Sequence, residues 1–207
     1  ARQLWMQRSD IVKRGLDLIL IVPLVVAFVP IWALTALIIK LETPGPVFFR
    51  QTRIGRNGRP FQMLKFRSMV ADAEKHRTEL EELNEMEGGV LFKMRRDPRV
   101  TRLGHLLRRS SMDETPQFLN VLRGEMSLVG PRPPIPSEVE RYTAEQRRRL
   151  ETKPGLTCLW QISGRSLLSF DKQVAMDIVY IEQRSFWLDL VILLKTIPAV
   201  LSGKGAF

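Results

Sequence analysis

The feature that most constrains this chain is an apolar segment, Leu18–Ile39, which contains no charged residue. As an α-helix this segment rises about 33 Å, which is enough to cross the hydrocarbon of a bilayer. Pro23 and Pro30 lie inside it, and each removes one backbone hydrogen bond from a helix. Because Pro30 falls near the middle, it leaves two arms of about ten to thirteen residues, each long enough for roughly one leaflet.

Two topologies fit this segment. One is a single transmembrane helix, and the other is a hairpin that enters the membrane, breaks at Pro30 and returns to the same side. Basic residues flank both ends of the segment, so the positive-inside rule favours neither orientation. A signal peptide is not expected, because the apolar core is too long and no small-residue cleavage site follows it. The chain does not begin with Met, and nothing in it tells whether further protein precedes Ala1.

The formal net charge of +10 indicates an anionic partner, for which nucleic acid, anionic lipid and a phosphorylated substrate all qualify. Only two Tyr are present and no basic run is interleaved with stacking aromatic residues, which argues against nucleic acid. Cys158 is the only cysteine, so no intrachain disulfide forms and a reducing, cytosol-facing domain is expected. His76 and His105 lie in separate segments, so a metal site of the Cys/His type is not expected.

The rest of the chain predicts an α+β, mostly helical domain that follows the turn at Thr43–Pro46. Val47–Ile54 and Pro60–Met69 predict a β-hairpin, because Asn57-Gly58 between them is a strong hairpin signal. The second strand should carry four side chains on one face: Phe61, Met63, Lys65 and Arg67. Two neighbouring cations on one face indicate either a solvated edge or a phosphate or carboxylate partner.

Six further segments are predicted from their patterns. They are a surface helix, flexible insertion or lid at Val70–Glu87, an amphipathic helix at Val100–Leu107, a charged helix at Ser137–Thr152, a short strand or loop at Leu156–Arg165, a helix at Phe170–Ile181, and an amphipathic interfacial helix at Phe186–Leu201.

Asp113 and Glu114 stand side by side before Pro116 and an apolar run. Ser111 matches a capping box with Glu114, but it would make Pro116 the fifth helical residue. With Asp113 as the N-cap, Pro116 loses only a donor that is already free, so the helix is predicted to begin at Asp113. Asp113 is then either a simple cap or a functional carboxylate at the positive end of a helix.

The cations around Asp113 and Glu114 favour a functional role for Asp113 over a role as a simple helix cap. Arg108 and Arg109 precede the two carboxylates, and Arg132 follows them between Pro131 and Pro133. Carboxylates that attack phosphorus or bind a metal, surrounded by cations that hold phosphates, are suited to phosphoryl transfer.

Five stretches carry a resemblance to one family in order along nearly the whole chain. They are KRGLDLIL from Lys13, GPVFFRQTRIGRNGRPFQMLKFRSM from Gly45, DPRVTRLGHLLRRSSMDETPQFLNVLRGEMSLVGPRP from Asp97, KPGLTCLWQISGR from Lys153, and the tail ending FWLDLVILLKTIPAVLSGKGA. Together they resemble the bacterial sugar transferases, the polyprenyl-phosphate hexose-1-phosphate transferases, also called monotopic phosphoglycosyl transferases.

The resemblance implies transfer of a sugar-1-phosphate from a UDP-sugar to polyprenyl (undecaprenyl) phosphate, with release of UMP. This is the first membrane step of exopolysaccharide or O-antigen synthesis, at the cytoplasmic face of the bacterial inner membrane. It also implies a re-entrant hairpin with its break at Pro30. The chain would then divide into a membrane-associated segment, residues 1–42, and a cytosolic catalytic domain, residues 43–207.

The same resemblance assigns roles to residues. Asp113 would be the nucleophile that forms a phosphosugar–aspartate intermediate, and Glu114, paired with Lys65, would position Asp113 or help it hold Mg²⁺. Further substrate-binding candidates are Arg108, Arg132, Arg109, Gln161, Arg165 and Asp177.

The Val70–Glu87 insertion and the GKGAF ending are similar to exopolysaccharide-type members, which favours UDP-glucose or UDP-galactose. The oligomeric state stays open, a homo-oligomer included. The rival interpretation is a non-enzymatic, membrane-tethered module that binds anionic lipid or nucleic acid, in which Asp113 serves only as a cap.

Overall fold

The structure is a computed structural model that describes residues 2–70, 73, 97–164 and 168–202, with side chains from residue 10 to residue 200 of these. This part is mostly helical, with one antiparallel and one parallel pair of strands. The elements in chain order are α1 (Arg2–Glu42), β1 (Phe48–Ile54), β2 (Pro60–Phe66), α2 (Arg102–Arg109), a 3₁₀ helix (Met112–Gln117), α3 (Phe118–Arg123), β3 (Ser127–Val129), α4 (Pro136–Glu140), α5 (Ala144–Arg147), a 3₁₀ turn (Arg148–Glu151), β4 (Gly155–Thr157), α6 (Leu159–Ser163), α7 (Phe170–Gln183) and α8 (Phe186–Ser202).

Helix α1 contains the apolar segment, and Asp10–Glu42 is long and apolar enough to cross a membrane. Helical structure continues through Pro23 and Pro30, so the predicted hairpin stays a prediction. One stripe of α1 is buried or half-buried, and from residue 19 onward most other positions are exposed. The stripe consists of Asp17, Ile21, Val25, Phe28, Trp32, Thr35 and Ile39. Its spacing of three and four residues is that of one helical face.

Polar contacts fix the N-terminal part of α1 to the globular part, by which we mean the described residues from Phe48 onward. The Lys13 ammonium donates to the Tyr180 hydroxyl and pairs with Asp189. Arg14 donates to the last carbonyls of α3, and Asp17 accepts from the Leu128 backbone N–H at 3.0 Å. The charges of Lys13, Arg14 and Asp17 are therefore satisfied by protein groups.

The predicted β-hairpin is confirmed. Strands β1 and β2 pair antiparallel, and Asn57 and Gly58 adopt positive φ values of 56° and 75° in the turn between them. Directly opposed residues of an antiparallel pair place their side chains on the same face. One face, which we call the Lys65 face, therefore carries Phe49, Gln51, Arg53, Phe61, Met63, Lys65 and Arg67.

The core lies where α1 meets the strands and the C-terminal helices. One buried cluster joins Ile21 of α1 to Val121, Met126, Tyr180 and Ile192. A second cluster, near the other end of α1, joins Ile39, Phe66 and Leu107.

Helices α2 and α7 form close to their predicted positions, whereas two other predictions need correction. Ser137–Thr152 is not one helix, because Thr143 begins a new helix, α5, with a capping box to Gln146. The strand predicted at the start of Leu156–Arg165 is present as β4, which pairs with β3, but Leu159–Ser163 forms helix α6. The Val70–Glu87 segment lies almost entirely outside the described residues.

Helix α8 forms at the position of the predicted interfacial helix. Asp189, Ile192 and Thr196 face the protein, whereas Trp187, Val191 and Leu194 are exposed. This apolar outer face fits an interfacial helix.

Candidate active site

The Asp113-Glu114 pair lies in the 3₁₀ helix Met112–Gln117, which packs against β2. Ser111 precedes this helix with a positive φ of 56°, and its side chain makes no capping hydrogen bond. The predicted start at Asp113 is therefore wrong: Ser111 occupies the N-cap position without a capping hydrogen bond, the helix begins at Met112, and both carboxylates lie in its first turn. The left-handed backbone at Ser111 turns the chain sharply after α2, which brings the pair between α2 and the hairpin.

Glu114 is held by Lys65 of β2. The Lys65 Nζ atom lies 2.6 Å from Glu114 Oε1, so the expected pairing is present. The Lys65 ammonium lowers the pKa of Glu114 to about 2. Lys65 is thus not part of a solvated edge, and Glu114 stays ionised at any physiological pH.

Asp113 is buried, and none of the other described side chains donates a hydrogen bond to its carboxylate. Burial raises the pKa of Asp113 to about 6, although Lys65 and Arg108 act in the opposite direction. The two adjacent carboxylates therefore differ strongly in proton affinity, an arrangement that commonly marks a division of chemical roles.

Arg108 reaches this pair from α2, which approaches the end of β2 closely. A Cβ atom on Gly104 would lie 2.0 Å from the Ser68 carbonyl oxygen, so only glycine allows this approach. Arg108 Nε then donates to Ser68 Oγ at 3.0 Å. Burial lowers the pKa of Arg108, and the carboxylate of Asp113 is the strongest nearby charge that opposes this shift. Arg109 is exposed and is not brought to the site.

Arg132 reaches the site from the segment that follows β3. Strands β3 and β4 pair in parallel, and a Cβ atom on Gly155 would lie 2.0 Å from Gly130 N, so the two backbones touch. This contact fixes the segment Pro131–Pro133 at the edge of the parallel pair. Arg132 is exposed there, and its charge contributes to the low pKa of Glu114.

Arg53 is a site residue that the sequence interpretation missed. It is buried on the Lys65 face, its Nη1 donates to the Pro133 carbonyl at 2.9 Å, and its Nε and Nη2 donate to Gln51 Oε1. Burial, followed by the charge of Arg132, lowers the pKa of Arg53 to about 10. The signal was available, because the hairpin register from Asn57-Gly58 places Arg53 on the same face as Lys65.

Two of the remaining candidates, Asp177 and Gln161, bind other residues than the carboxylate pair. Asp177 is fully buried and pairs with Arg149 at 2.6 Å, so it holds α7 to the turn after α5 rather than lining an open site. Gln161 Oε1 accepts from Cys158 Sγ in α6. Arg165 lies outside the described residues.

The two carboxylates of the site fit a magnesium ion that is bound by few protein ligands. Mg²⁺ often binds through one or two carboxylates and completes its shell with water and substrate phosphates. Asp113 and Glu114 supply two adjacent carboxylates, with Arg108 and Arg132 nearby to bind phosphate. The described residues contain no cluster of three or more His, Cys, Asp or Glu side chains, so they offer no closed protein cage.

The family model described as bacterial sugar transferase matches residues 8–203, and the chain therefore belongs to this family. It is 52% identical over 163 residues to the galactosyl transferase CpsE of Streptococcus agalactiae serotype III, a match that covers 78% of this chain and 36% of CpsE. It is 41% identical over 202 residues to the exopolysaccharide production protein ExoY of Sinorhizobium fredii, covering 96% of this chain and 89% of ExoY.

A third relative is the UDP-glucose:undecaprenyl-phosphate glucose-1-phosphate transferase of Caulobacter vibrioides, 43% identical over 206 residues. This match covers 96% of the present chain and 73% of that protein. The chain thus spans little more than a third of CpsE but most of ExoY. The family resemblance noted in the sequence is confirmed.

Proposed function

We propose that this protein transfers a sugar-1-phosphate from a UDP-sugar to a polyprenyl phosphate such as undecaprenyl phosphate. The products are a polyprenyl-diphosphate sugar and UMP. The relatives named for UDP-glucose or galactose transfer and for exopolysaccharide production support a hexose donor and a role in exopolysaccharide synthesis. The observation that carries the proposal is the carboxylate pair, in which Lys65 binds Glu114 and leaves Asp113 free to react.

In the first step, an Asp113 carboxylate oxygen attacks the phosphorus that bears the sugar. A new P–O bond to Asp113 forms while the bond from that phosphorus to the bridging oxygen breaks, and UMP leaves with the bond electrons. In the second step, a phosphate oxygen of the lipid attacks the same phosphorus and breaks the bond to Asp113. The lipid diphosphate is released, and the free carboxylate is restored.

The geometry around Asp113 suits this role. A buried carboxylate is poorly solvated, which makes it a better nucleophile than an exposed one, and above pH 6 it is mostly ionised. Glu114 stays ionised because Lys65 binds it. It can therefore position Asp113 without itself taking up a proton. Arg108 and Arg132 carry planar guanidinium groups that bind phosphate oxygens at two points.

Asp113 and Glu114 would hold the Mg²⁺ ion together with oxygens of the diphosphate. When bound, the ion neutralises the phosphate charge that develops as UMP departs. The cations Lys65, Arg53 and Arg132 balance the charge of Glu114.

A membrane location at the cytoplasmic face follows from the second substrate and from α1. The acceptor is a lipid whose phosphate lies at the bilayer surface, and α1 offers a long exposed apolar surface beside the site. The re-entrant topology is supported by contacts at both ends of α1. Asp10 pairs with Arg56 and Arg184, while Glu42 accepts from the Leu103 backbone N–H.

The decisive test measures UMP release and covalent adduct formation with a panel of UDP-sugars. With Mg²⁺ and the correct UDP-sugar but no lipid, the protein should release up to one UMP per active site, and its intact mass should rise by one sugar-phosphate. Asp113→Asn should abolish both signals, and Glu114→Gln should weaken them. Asp171→Asn, an exposed residue of α7, is the matched control and should behave like the wild type.

An Asp113→Asn enzyme that still forms product at a near-normal rate would exclude the covalent route and leave direct attack by the lipid phosphate. The rival membrane-tethered module makes a different prediction: no UDP-sugar releases UMP, and basic substitutions weaken vesicle or nucleic-acid binding additively.

A further inference from the structure

Two adjacent phenylalanines of β1, Phe48 and Phe49, have similar exposure, 39% and 36%. As neighbours in a strand they point to opposite faces of the hairpin. Phe48 is opposite Phe66 and stacks on its ring with centroids 5.4 Å apart, so it extends the buried cluster around Ile39. Phe49 is opposite Lys65 and therefore lies on the Lys65 face.

Phe49 occupies a defined place on this face. On one side is Arg67, which donates to the Thr43 and Pro44 carbonyls in the connection from α1. On the other side is Gln51, which holds Arg53. Phe49 thus lies at the end of the hairpin nearest to the C-terminal end of α1, where Leu41 is 78% exposed.

An exposed aromatic ring opposite Lys65 fits a ligand that is apolar at one end and anionic at the other. Directly opposed residues have Cβ atoms about 4.5–5.5 Å apart, so a ligand phosphate near Lys65 would bring its attached chain to Phe49. The exposed surface of α1 is apolar, so a hydrocarbon chain that follows it out of the bilayer would arrive at the C-terminal end of α1, from which the connection to β1 starts.

We infer that Phe49 contacts the first isoprenoid units of the acceptor lipid phosphate, while its phosphate lies on the Lys65 and Arg108 side. This inference rests on the proposed function and adds a binding residue for the acceptor. In this arrangement Phe49 does not contact the UDP-sugar. It therefore affects only the second step, in which the lipid phosphate attacks. A sugar ring is the other ligand that stacks on aromatic side chains, and the test separates the two.

The test compares Phe49→Ala with Phe48→Ala, the matched control from the opposite face. Phe49→Ala should raise the KM for polyprenyl phosphate roughly tenfold, the change expected when most of one buried aromatic contact is lost. Its KM for UDP-sugar, its lipid-free UMP release and its melting temperature should match the wild type. Phe49→Leu should restore most of the acceptor affinity. Phe48→Ala should lower the melting temperature and leave the acceptor KM close to normal.

Three outcomes would overturn the inference. A raised KM for UDP-sugar in Phe49→Ala would place the ring at the sugar instead. Equal effects of the two alanine variants on stability and acceptor KM would make both residues structural. An unchanged KM for the acceptor in Phe49→Ala would show that Phe49 does not contact the acceptor lipid. Failure of the proposed function looks different, because the wild-type protein would then form no lipid diphosphate with any UDP-sugar.

Discussion

At the scale of single residues, the site holds two carboxylates that repel each other when both are ionised. Asp113 and Glu114 are adjacent, and each raises the cost of ionising the other. Lys65 resolves this conflict by binding Glu114 at 2.6 Å, and the positive charge of Arg108 on α2 favours the ionised form of Asp113. Both carboxylates are therefore able to carry charge at neutral pH although the pair is partly removed from water.

Arg132 gives a residue-scale prediction. Arg132→Lys keeps the charge but loses the planar, two-point contact with phosphate, so activity should fall about tenfold or more. The melting temperature should barely change, because Arg132 is exposed. The measurement is UMP release together with thermal unfolding in detergent.

Two matched variants control the Arg132 experiment. Arg53→Lys should lower both activity and melting temperature, because the buried Arg53 guanidinium donates to Pro133 and Gln51. Arg109→Lys, an exposed neighbour of Arg108, should change neither quantity. Unfolding of Arg132→Lys would show instead that Arg132 is structural.

The sequence singled out the two carboxylates and predicted the contact between Lys65 and Glu114. It did not predict the backbone conformation that places the carboxylates at the site. Both capping schemes assumed an ordinary α-helix N-terminus, and neither anticipated the positive φ of Ser111. Serine rarely adopts this conformation, and tertiary packing overrides the local preference here. Arg53 was missed because its role depends on the Pro133 carbonyl, 80 residues away in sequence.

At the scale of elements, α1 contacts the 3₁₀ helix Met112–Gln117 directly. The Trp32 indole Nε1 donates to Thr115 Oγ1 at 2.9 Å, and Thr115 Oγ1 in turn donates to the Met112 carbonyl. The Trp32 ring also packs near Phe118, with centroids 6.2 Å apart. The apolar helix therefore helps to fix the 3₁₀ helix that carries Asp113 and Glu114.

This contact predicts that Trp32 positions the carboxylate pair. Trp32→Phe keeps an aromatic ring but removes the donor, and a net loss of about 1 kcal/mol corresponds to roughly fivefold in rate. Thr115→Val should give a similar loss, and the double variant should be little worse than either single one. The readout is the rate of lipid-free UMP release at saturating UDP-sugar, with an unchanged KM.

Trp187→Phe is the control, because Trp187 is 72% exposed on α8. Additive losses in the Trp32 and Thr115 double variant would show that the hydrogen bond does not couple the two residues.

Elements with strong local signals were predicted well, and those set by distant contacts were not. The hairpin followed from Asn57-Gly58, and α7 and α8 form where helices were predicted at Phe170–Ile181 and in the Trp- and Leu-rich segment Phe186–Leu201. The parallel pair of β3 and β4 was not predicted, because three-residue strands carry little pattern and their pairing depends on contact between Gly130 and Gly155. The charged stretch after Ser137 was read as one helix, although Thr143 carries a capping box with Gln146.

At the scale of the whole molecule, α1 lies along the globular part rather than projecting from it. Its buried stripe runs from Asp17 to Ile39, and polar contacts extend this attachment to Asp10 and Glu42. Thirty-three residues of helix rise about 50 Å, more than a bilayer core. A spanning α1 would place the partners of Asp10 and of Glu42 on opposite sides of the membrane, although they belong to one packed body.

We therefore predict that both ends of α1 lie on the same, cytosolic side of the membrane. Cysteines replacing Gln7, near the start of α1, and the exposed Arg50 of β1 should react with a membrane-impermeant maleimide in inverted vesicles and stay protected in spheroplasts. Lys172→Cys, on the exposed face of α7, marks the side of the globular part. Background labelling should be low, because the native Cys158 is fully buried. Labelling of the Gln7 and Arg50 positions from opposite sides would establish a full span and end the re-entrant interpretation.

Pro30→Ala restores a helix donor at the predicted break. If a bend at Pro30 keeps the two ends of α1 on one side of the membrane, this variant should shift the Gln7 position toward labelling from the opposite side.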